Sequence, residues 1–363
     1  MKTTRREFIA AAAAPALIGL QDKSGSRLPI LGSGAYTYEA IHDWRTLPAQ
    51  IKWGNTHAVV EDAQGNLHIH HTVHATSESG DSVVVFDRSG RFVRSWGRQF
   101  RGVAQGLQIR REGGDEFLYF TVNAANPRLS PPPGTQAAVV KTTLRGEIVW
   151  TIQGPPEVAA YTEPNPDGTP KRYNPTNLAI AANGDLYVGD GYGSYFVNQY
   201  DRAGRHIRSF GGRGAARGQL NEPHGIWIDS RGDRGSGNGE RALLVVADRR
   251  NNRLQRFTLD GTHVDFIEGF RLPCHFDERQ GTVVVPDLHG RVTLLDRDNR
   301  IVQHLGDSNA PVWNNPLRAQ PRDAFVPGQF ICPHGACFDR EGNIFVVEWV
   351  EVGRVTKLRK VSA

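Results

Sequence analysis

Histidine recurs at one place in a repeating sequence pattern. Pro223-His224-Gly225 and Pro333-His334-Gly335 share a motif, while Thr56-His57-Ala58 and Pro273-Cys274-His275 stand at corresponding places in other copies. Neutral imidazole is the commonest metal ligand, and three histidines that leave one coordination position open form a catalytic zinc site. His57, His224, His275 and His334 are therefore candidate metal ligands, provided that the fold brings the copies together. The competing interpretation is that each histidine hydrogen-bonds the backbone of a neighbouring repeat.

A second set of polar residues ends the second hydrophobic run of each copy. Its members are His71, Asp190, Asp248, Asp287 and Glu348. An acidic side chain at such a place commonly accepts backbone N–H bonds of the adjoining turn. Just beyond two of them lie Tyr192, a candidate general acid or base, and Arg249, which suits a two-pronged contact with a carboxylate.

The elements that must position these side chains are short strands. Each copy contains two apolar runs joined by a turn, then a third run, a second turn and a fourth run, all within roughly 40–50 residues. Six copies begin at Thr56, Ala104, Pro175, Pro223, Pro273 and Pro333. The sequence therefore predicts an all-β fold, a six-bladed β-propeller with four antiparallel strands per blade. In such a ring the inner strands all start around one mouth of the central tunnel.

The repeat also predicts the domain organisation. Long Gly- and Pro-rich stretches interrupt the pattern, but the pattern resumes after each one, so they are surface loops and not linkers. We expect one propeller domain over residues 35–363. Closure of the ring usually needs one chain end to complete a blade begun by the other, and Ala35 to Ala40 is the predicted closing strand.

The first 25 residues predict export. Arg5-Arg6 precedes Phe8-Ile9 and an apolar run from Ala10 to Leu20, the pattern of a twin-arginine signal. The run is too short for a stable membrane span. The expected location is periplasmic or secreted, and the competing interpretation is an ordinary N-terminal helix.

The charge of the chain indicates which partners to expect, and its cysteines raise the question of a disulfide. The formal charge is +5 over 363 residues, and the basic residues are spread over hairpin tips, so nucleic acid is not an expected partner. The expected ligand is a small molecule or peptide at the tunnel mouth, and the sequence is also compatible with a protein partner.

Of the three cysteines, Cys274 and Cys332 precede inner strands of adjacent blades. Both a disulfide between them and buried free thiols are compatible with the sequence.

Residues 50 to 360 resemble NHL repeats, a class of six-bladed propeller. Three segments are more similar to the peptidyl-α-hydroxyglycine α-amidating lyase family, namely Pro175 to Ala179 with Val188 to Tyr192, Pro223 to Ile226 with Val246 to Phe257, and Pro333 to Gly335. The resemblance implies a zinc ion held by three histidines of alternate blades, and a Tyr and an Arg that act on hydroxyl and carboxylate to release glyoxylate. It carries over His224 and His334 as ligands, Tyr192 as the catalytic tyrosine and Arg249 as the substrate arginine.

The sequence departs from that family in blade two. Ala104-Gln105-Gly106 stands where the third Pro-His-Gly is expected, and glutamine is a poor zinc ligand. His57 or His275, from other blades, must then complete the set. Calcium is less suitable than zinc at this mouth, because calcium prefers oxygen ligands.

Two interpretations follow from these residues. In the first, the chain is a zinc-dependent carbon–oxygen lyase-like enzyme, with the metal on His224, His334 and one of His57 or His275. In the second, it is a noncatalytic periplasmic propeller that binds a ligand or protein over the same face. Fold alone does not decide between them.

Overall fold

The structure is a computed structural model that describes residues 28–124, 129–165, 167–232, 242–309 and 315–361. The predicted export signal at 1–25 lies outside the described residues. Six antiparallel sheets are present, one per predicted blade, and they confirm the six-bladed propeller. Among the described residues, no helix is both long enough and apolar enough to cross a membrane.

The first three blades follow one another along the chain. Blade one consists of Thr56–Glu61, Leu67–His71, Val83–Phe86 and Phe92–Trp96. Blade two consists of Ala104–Glu112, Asp115–Val122, Ala138–Thr143 and Ile148–Gln153. Blade three consists of Asn177–Ile180, Leu186–Gly189, Phe196–Tyr200 and His206–Gly211. In each blade the four strands pair in chain order, from the inner strand to the outer one.

Blades four and five repeat this arrangement, and blade six has five strands drawn from both ends of the chain. Blade four consists of Pro223–Asp229, Leu243–Asp248, Arg253–Thr258 and His263–Ile267. Blade five consists of Asp277–Arg279, Thr282–Asp287, Arg291–Leu295 and Ile301–Leu305. Blade six takes Pro333–Phe338, Ile344–Glu348 and Arg354–Lys360 from the end of the chain, followed by Tyr38–Ile41 and Ile30–Leu31 from its beginning.

The closing strand is therefore present, with different bounds from those predicted. Tyr38–Ile41 pairs antiparallel with Arg354–Lys360 and places Tyr38 opposite Lys360. The predicted strand residues before it form a short 3₁₀ turn, Gly34–Tyr36, because the chain must reverse there to bring Ile30–Leu31 alongside. Gly34 enables this turn with a φ of +53°, a value that favours glycine.

Face-to-face stacking of the blades explains why the strands are apolar on both faces. All four residues of Val83–Phe86 are buried. Val84 and Phe86 pack toward blade six, against Phe345 among others. Val83 and Val85 pack toward blade two, against Leu107 and Phe120 among others. Alternate side chains of one strand thus fill two different interblade cores.

The acidic residues that end the second strands accept backbone N–H bonds, as expected, but mainly from the segment before the inner strand and not from the adjoining turn. Each accepts the backbone N–H of the segment leading into the inner strand of its own blade: Asn174 to Asp190, Asn221 to Asp248, Arg271 to Asp287 and Ile331 to Glu348. In blade one the Nδ1 atom of His71 accepts from Gly54 in the same way. These side chains fix the start of each inner strand and thereby the mouth of the tunnel.

The described helices are all short. They are the α-helical turn Ala159–Thr162 and the 3₁₀ turns Gly34–Tyr36, Arg98–Phe100, Arg249–Asn251, Pro316–Ala319 and Arg322–Ala324. Arg249–Asn251 follows directly from the second strand of blade four, and Pro316–Ala319 belongs to the long loop before blade six. Both place an arginine close to the tunnel mouth.

Candidate functional site

Irregular pairing at the start of four inner strands directs side chains into the tunnel. The register between the first and second strands shifts at His57 in blade one, at Gln105 in blade two, at His224 in blade four and at His334 in blade six. Such bulges bend a strand locally and re-aim a side chain. The same four positions carry the residues that the sequence predicts at the mouth.

Glycine follows the imidazole in two of these strands because the next blade approaches too closely for a side chain. A Cβ atom on Gly225 would lie 2.8 Å from the carbonyl oxygen of Cys274, and one on Gly335 would lie 2.5 Å from the carbonyl oxygen of His57. Both distances are below ordinary van der Waals contact. The His-Gly motif therefore combines an inward-pointing imidazole with a close contact between neighbouring blades.

His224 and His334 meet at the centre of the mouth. Their ring centroids are 4.8 Å apart in an edge-to-face arrangement, and both side chains are buried. The Nδ1 atom of His224 donates to the carbonyl of Cys274 at 2.7 Å, and that of His334 donates to the carbonyl of His57 at 2.9 Å. These bonds fix the tautomer, so that each Nε2 presents its lone pair to the tunnel axis.

Burial keeps both rings neutral. It lowers the pKa of His224 to about 4 and holds the pKa of His334 well below its usual value. Neutral imidazole is the form that binds a metal. At neutral pH the two rings therefore already have the protonation state of a ligand.

Gln105 occupies the third position of this ring, on blade two. Its Nε2 atom lies 2.8 Å from Nε2 of His224 and 3.4 Å from Nε2 of His334. The amide thus donates toward the same lone pairs that a metal would use. Gln105 reaches the place predicted for a third ligand, and it must turn its amide aside before an ion can contact both imidazoles.

Tyr192 and Arg249 lie beside the two histidines, as the sequence predicts. The Tyr192 hydroxyl is 3.1 Å from Nε2 of His224, and Nη2 of Arg249 donates to that hydroxyl at 3.2 Å. The guanidinium of Arg249 also forms a buried ion pair with Glu222. Glu222 has a φ of +64°, a strained value for this residue type, and it immediately precedes Pro223-His224.

The other predicted residues are placed differently. His57 contacts His334 edge-on at 4.8 Å, and neither of its ring nitrogens makes a hydrogen bond of ordinary geometry to the described residues, although Gln105 is near. His275 lies farther along the tunnel, where its Nε2 is 3.3 Å from the amide nitrogen of Gln108. Thr176 stands in blade three at the place that His224 has in blade four; it is fully buried and its hydroxyl donates to the carbonyls of Gly189 and Pro223, so it is a structural residue.

One group of potential ligands converges in the described part of the chain. The ligand atoms of His224, Cys274 and His334 all lie within 4.8 Å of one another. Neither His57 nor His275 belongs to this group. All three cysteines have free thiols in the structure, including the pair for which a disulfide was left open. The structure therefore assembles the predicted mouth but offers a sulfur atom where the sequence favoured a third imidazole.

Sequence reasoning assigned no chemical role to three neighbouring groups. They are the Cys274 thiol, the Glu222 carboxylate and the guanidinium of Arg318. Arg318 lies over the Trp349 ring at 3.3 Å and donates from Nε to the Trp349 carbonyl at 3.0 Å. Glu222 had a visible signal, because an acidic residue directly before Pro-His-Gly enters the tunnel mouth. Arg318 had none, since it lies in a loop outside the repeat.

Comparison with known proteins supports the fold. No protein-family model matches the sequence. Among solved structures, virginiamycin B lyase from Staphylococcus aureus is similar with a TM-score of 0.51 and 14% identity, over 89% of this chain and 100% of that one. A streptogramin B lyase structure has a TM-score of 0.53 and 15% identity, over 90% and 99% of the two chains.

A third similar structure has no known function. This Bacteroides thetaiotaomicron protein has a TM-score of 0.54 and 11% identity, over 85% of this chain and 70% of that one. At such identities the likeness shows a shared six-bladed propeller and nothing finer. The chain is thus an all-β propeller whose site must be interpreted from its own residues.

Proposed function

We propose that this chain is a metal-dependent lyase whose reaction takes place at the tunnel mouth. The observation that carries the proposal is the convergence of two neutral imidazoles, with each Nδ1 held by a backbone carbonyl and each Nε2 directed to the axis. The Nδ1 bonds leave both Nε2 lone pairs directed to one point of the mouth, where an ion would take the place of the Gln105 amide that now donates toward them. The similarity of the fold to two lyases agrees with this function without establishing it.

The residues present fit a single divalent ion. His224 and His334 would hold it, and zinc suits imidazole ligands better than calcium does. The second-shell bonds from Nδ1 to backbone carbonyls are the kind that orient ligating histidines. When bound, the ion would supply Lewis-acid polarisation of a substrate oxygen.

Tyr192 is the residue best placed to move a proton. Its hydroxyl lies 3.1 Å from Nε2 of His224 and accepts a hydrogen bond from the guanidinium of Arg249. The hydrogen bond from Arg249 fixes the position of the phenol oxygen beside His224. Tyr192 can then accept the proton of a substrate hydroxyl as a general base and return it to the leaving group.

Arg318 is better placed than Arg249 to bind a substrate anion. Arg249 is buried and already pairs with Glu222, so its charge is compensated within the protein. Arg318 is only partly buried, and its terminal nitrogens form no ion pair with the described residues. Burial lowers the pKa of His57 to about 3, and the positive charge of Arg318 makes a small further contribution to this shift.

The proposed substrate is a peptide that ends in α-hydroxyglycine, in which one carbon carries a hydroxyl, a carboxylate and an amide nitrogen. This arrangement determines which bond breaks. The hydroxyl loses its proton to Tyr192, its oxygen becomes a carbonyl, and the carbon–nitrogen bond breaks. The nitrogen takes up the proton, so the products are an amide and a glyoxylate ion. This elimination breaks a carbon–nitrogen bond and not the carbon–oxygen bond expected from the sequence.

The test is metal content followed by activity. Purified wild type should contain about one equivalent of zinc by elemental analysis, and His224→Ala and His334→Ala should contain almost none. His74→Ala, which changes a loop histidine whose side chain bonds Thr76, is the matched control. Metal-loaded wild type should release glyoxylate from peptides ending in α-hydroxyglycine, and Tyr192→Phe should lose at least about 100-fold in kcat.

Two results would contradict the proposal. Correctly folded wild type that takes up no zinc from excess metal would leave a noncatalytic binding propeller. Zinc that is retained in both His→Ala variants would place the metal elsewhere.

Arg318→Ala should raise KM without lowering zinc content, and an unchanged KM would show that Arg318 does not bind the substrate.

We also propose that the protein is exported folded through the twin-arginine pathway. The Arg5-Arg6 pair and the apolar run after it support this location. Replacement of both arginines by lysine should keep the full-length precursor in the cytoplasm. Export that continues unchanged in the double variant would argue for another route.

A further inference from the structure

We propose that Cys274 is the third protein ligand of this ion, which is then held by two imidazoles and one thiolate from blades four, five and six. This inference rests on the proposed metal-dependent function, since it specifies how that metal is bound. Its basis is the one convergent group of the described chain, in which Sγ of Cys274 and the ring nitrogens of His224 and His334 lie within 4.8 Å of one another.

Cys274 contributes to the site twice. Its carbonyl oxygen accepts the Nδ1–H of His224 at 2.7 Å, so its backbone fixes the orientation of that imidazole. Its sulfur lies on the same side, close to both rings. A single residue of blade five therefore sets the direction of one ligand and supplies another donor atom.

The sulfur has no strong competing partner. Its hydrogen bond to the carbonyl of Leu272 is long, at 3.4 Å, and it forms no disulfide. Burial raises the pKa of the Cys274 thiol to about 11, and the Arg249 guanidinium, whose Nη1 lies 3.8 Å from Sγ, opposes this shift. Binding of a metal ion would displace the thiol proton, as it does at other thiolate sites.

Cys332 provides the internal comparison. It lies in the same apolar cluster as Cys274, together with Leu288, Ile331 and Val350, and it is equally buried. Cys332 is nevertheless not part of the convergent group. The two cysteines thus share an apolar environment, but only the sulfur of Cys274 lies close to the ring nitrogens of both His224 and His334.

A ligand set of two nitrogens and one sulfur restricts the metal. Thiolate and imidazole suit zinc and cobalt(II) in tetrahedral geometry, and they do not suit magnesium or calcium. Three protein ligands leave a fourth position open for solvent or substrate, which a catalytic ion requires. Gln105 then serves as a neighbour that hydrogen-bonds within the mouth and not as a ligand.

Replacement of zinc by cobalt(II) tests this assignment directly. Cobalt bound to a thiolate shows a near-ultraviolet charge-transfer absorption that cobalt bound to nitrogen and oxygen alone does not show. Wild type titrated with one equivalent of cobalt should show this band. Cys274→Ser should lose it and bind cobalt at least about tenfold more weakly, and Cys332→Ser should retain it.

Each outcome has a definite meaning. Cobalt that binds at one equivalent without the band would overturn the Cys274 ligand and leave the metal-dependent function standing. No bound cobalt or zinc would overturn both. A band that persists in Cys274→Ser, or disappears in Cys332→Ser, would also refute the assignment.

If Cys274→Ser does not fold, a measurement on wild type alone still tests the Cys274 ligand. X-ray absorption of the zinc protein should show one sulfur at about 2.3 Å and nitrogens at about 2.0–2.1 Å from the metal. A zinc shell that contains only nitrogen and oxygen would overturn the proposal without any mutation.

Discussion

At the scale of single residues, Gln105 separates this site from one with three histidines. Its amide occupies the mouth between His224 and His334 and donates toward both lone pairs. Gln105→His should place an imidazole there and bind zinc at least about tenfold more tightly, because an added ligand replaces a competing donor. Competition against a chelator of known affinity measures the change.

Gln105→Ala is the matched control for that substitution. It removes the competing donor without adding a ligand, so its gain in zinc affinity should be clearly smaller than that of Gln105→His. Equal affinities for the two variants would show that blade two offers no productive ligand position. Weaker binding in Gln105→His would show that the mouth cannot accept a fourth protein ligand.

Glu222 is the residue that holds Arg249 beside Tyr192. Its carboxylate pairs with the buried guanidinium of Arg249 and with Arg250, whose side chain is 44% exposed. Glu222→Gln leaves the charge of Arg249 buried without a counterion and should lower the free energy of unfolding by roughly 3 kcal/mol. Chemical unfolding of variant and wild type gives this difference.

Arg250→Gln is the corresponding control, since it removes the exposed partner and leaves the buried pair intact. It should cost less than about 1 kcal/mol, as exposed ion pairs do. Similar losses of unfolding free energy in the two variants would mean that the buried pair with Arg249 stabilises the protein no more than the exposed pair with Arg250 does.

At the scale of elements, His42 connects the closing strand to the rest of blade six. It follows Tyr38–Ile41, its Nδ1 donates to the Thr356 hydroxyl at 2.8 Å, and its Nε2 accepts the N–H of Gly328 at 2.9 Å. Burial, with a contribution from the charge of Arg354, lowers the pKa of His42 to about 3. A proton on Nε2 would break the bond from Gly328.

The sign of the pH effect follows from this lowered pKa. Below about pH 6.5 the unfolded chain takes up a proton at His42 that the folded protein does not, so stability is lost as the pH falls from 6.5 toward 3. His42→Gln keeps a donor and an acceptor but cannot be protonated. Between pH 7.5 and 5 it should lose about 2 kcal/mol less stability than wild type. Equal losses, measured by urea unfolding at the two pH values, would contradict this linkage.

How far the sequence predicts the structure depends on the element considered. Apolar runs such as Val83–Phe86 and the spacing of the repeats are enough to predict the six blades, because each strand must fill two interblade cores. The position of His224 and His334 follows from the same repeat. The identity of the third residue beside them does not follow, because local backbone geometry before each inner strand decides whether His57, Cys274 or His275 approaches His224 and His334.

At the scale of the whole molecule, the ring is closed by non-covalent pairing of the two chain ends. Tyr38–Ile41 buries Tyr38 and Ala40 against blade six, and Glu39 forms an ion pair with Arg359. Without this strand, Arg354–Lys360 becomes an exposed edge, a template for association with other chains. The integrity of the ring thus depends on a short segment at the beginning of the described chain.

Deletion of residues 28–41 from the exported form should therefore lower Tm by roughly 10 °C or more and cause self-association. Calorimetry and light scattering after size-exclusion chromatography measure the two effects. A synthetic peptide of residues 28–43 added in excess should restore both Tm and the size of the untruncated protein, because it offers the same edge a strand of the right register. A truncated protein with an unchanged Tm and no increase in association would show that blade six is complete without its N-terminal strands, and that the remaining interblade cores alone hold the ring closed.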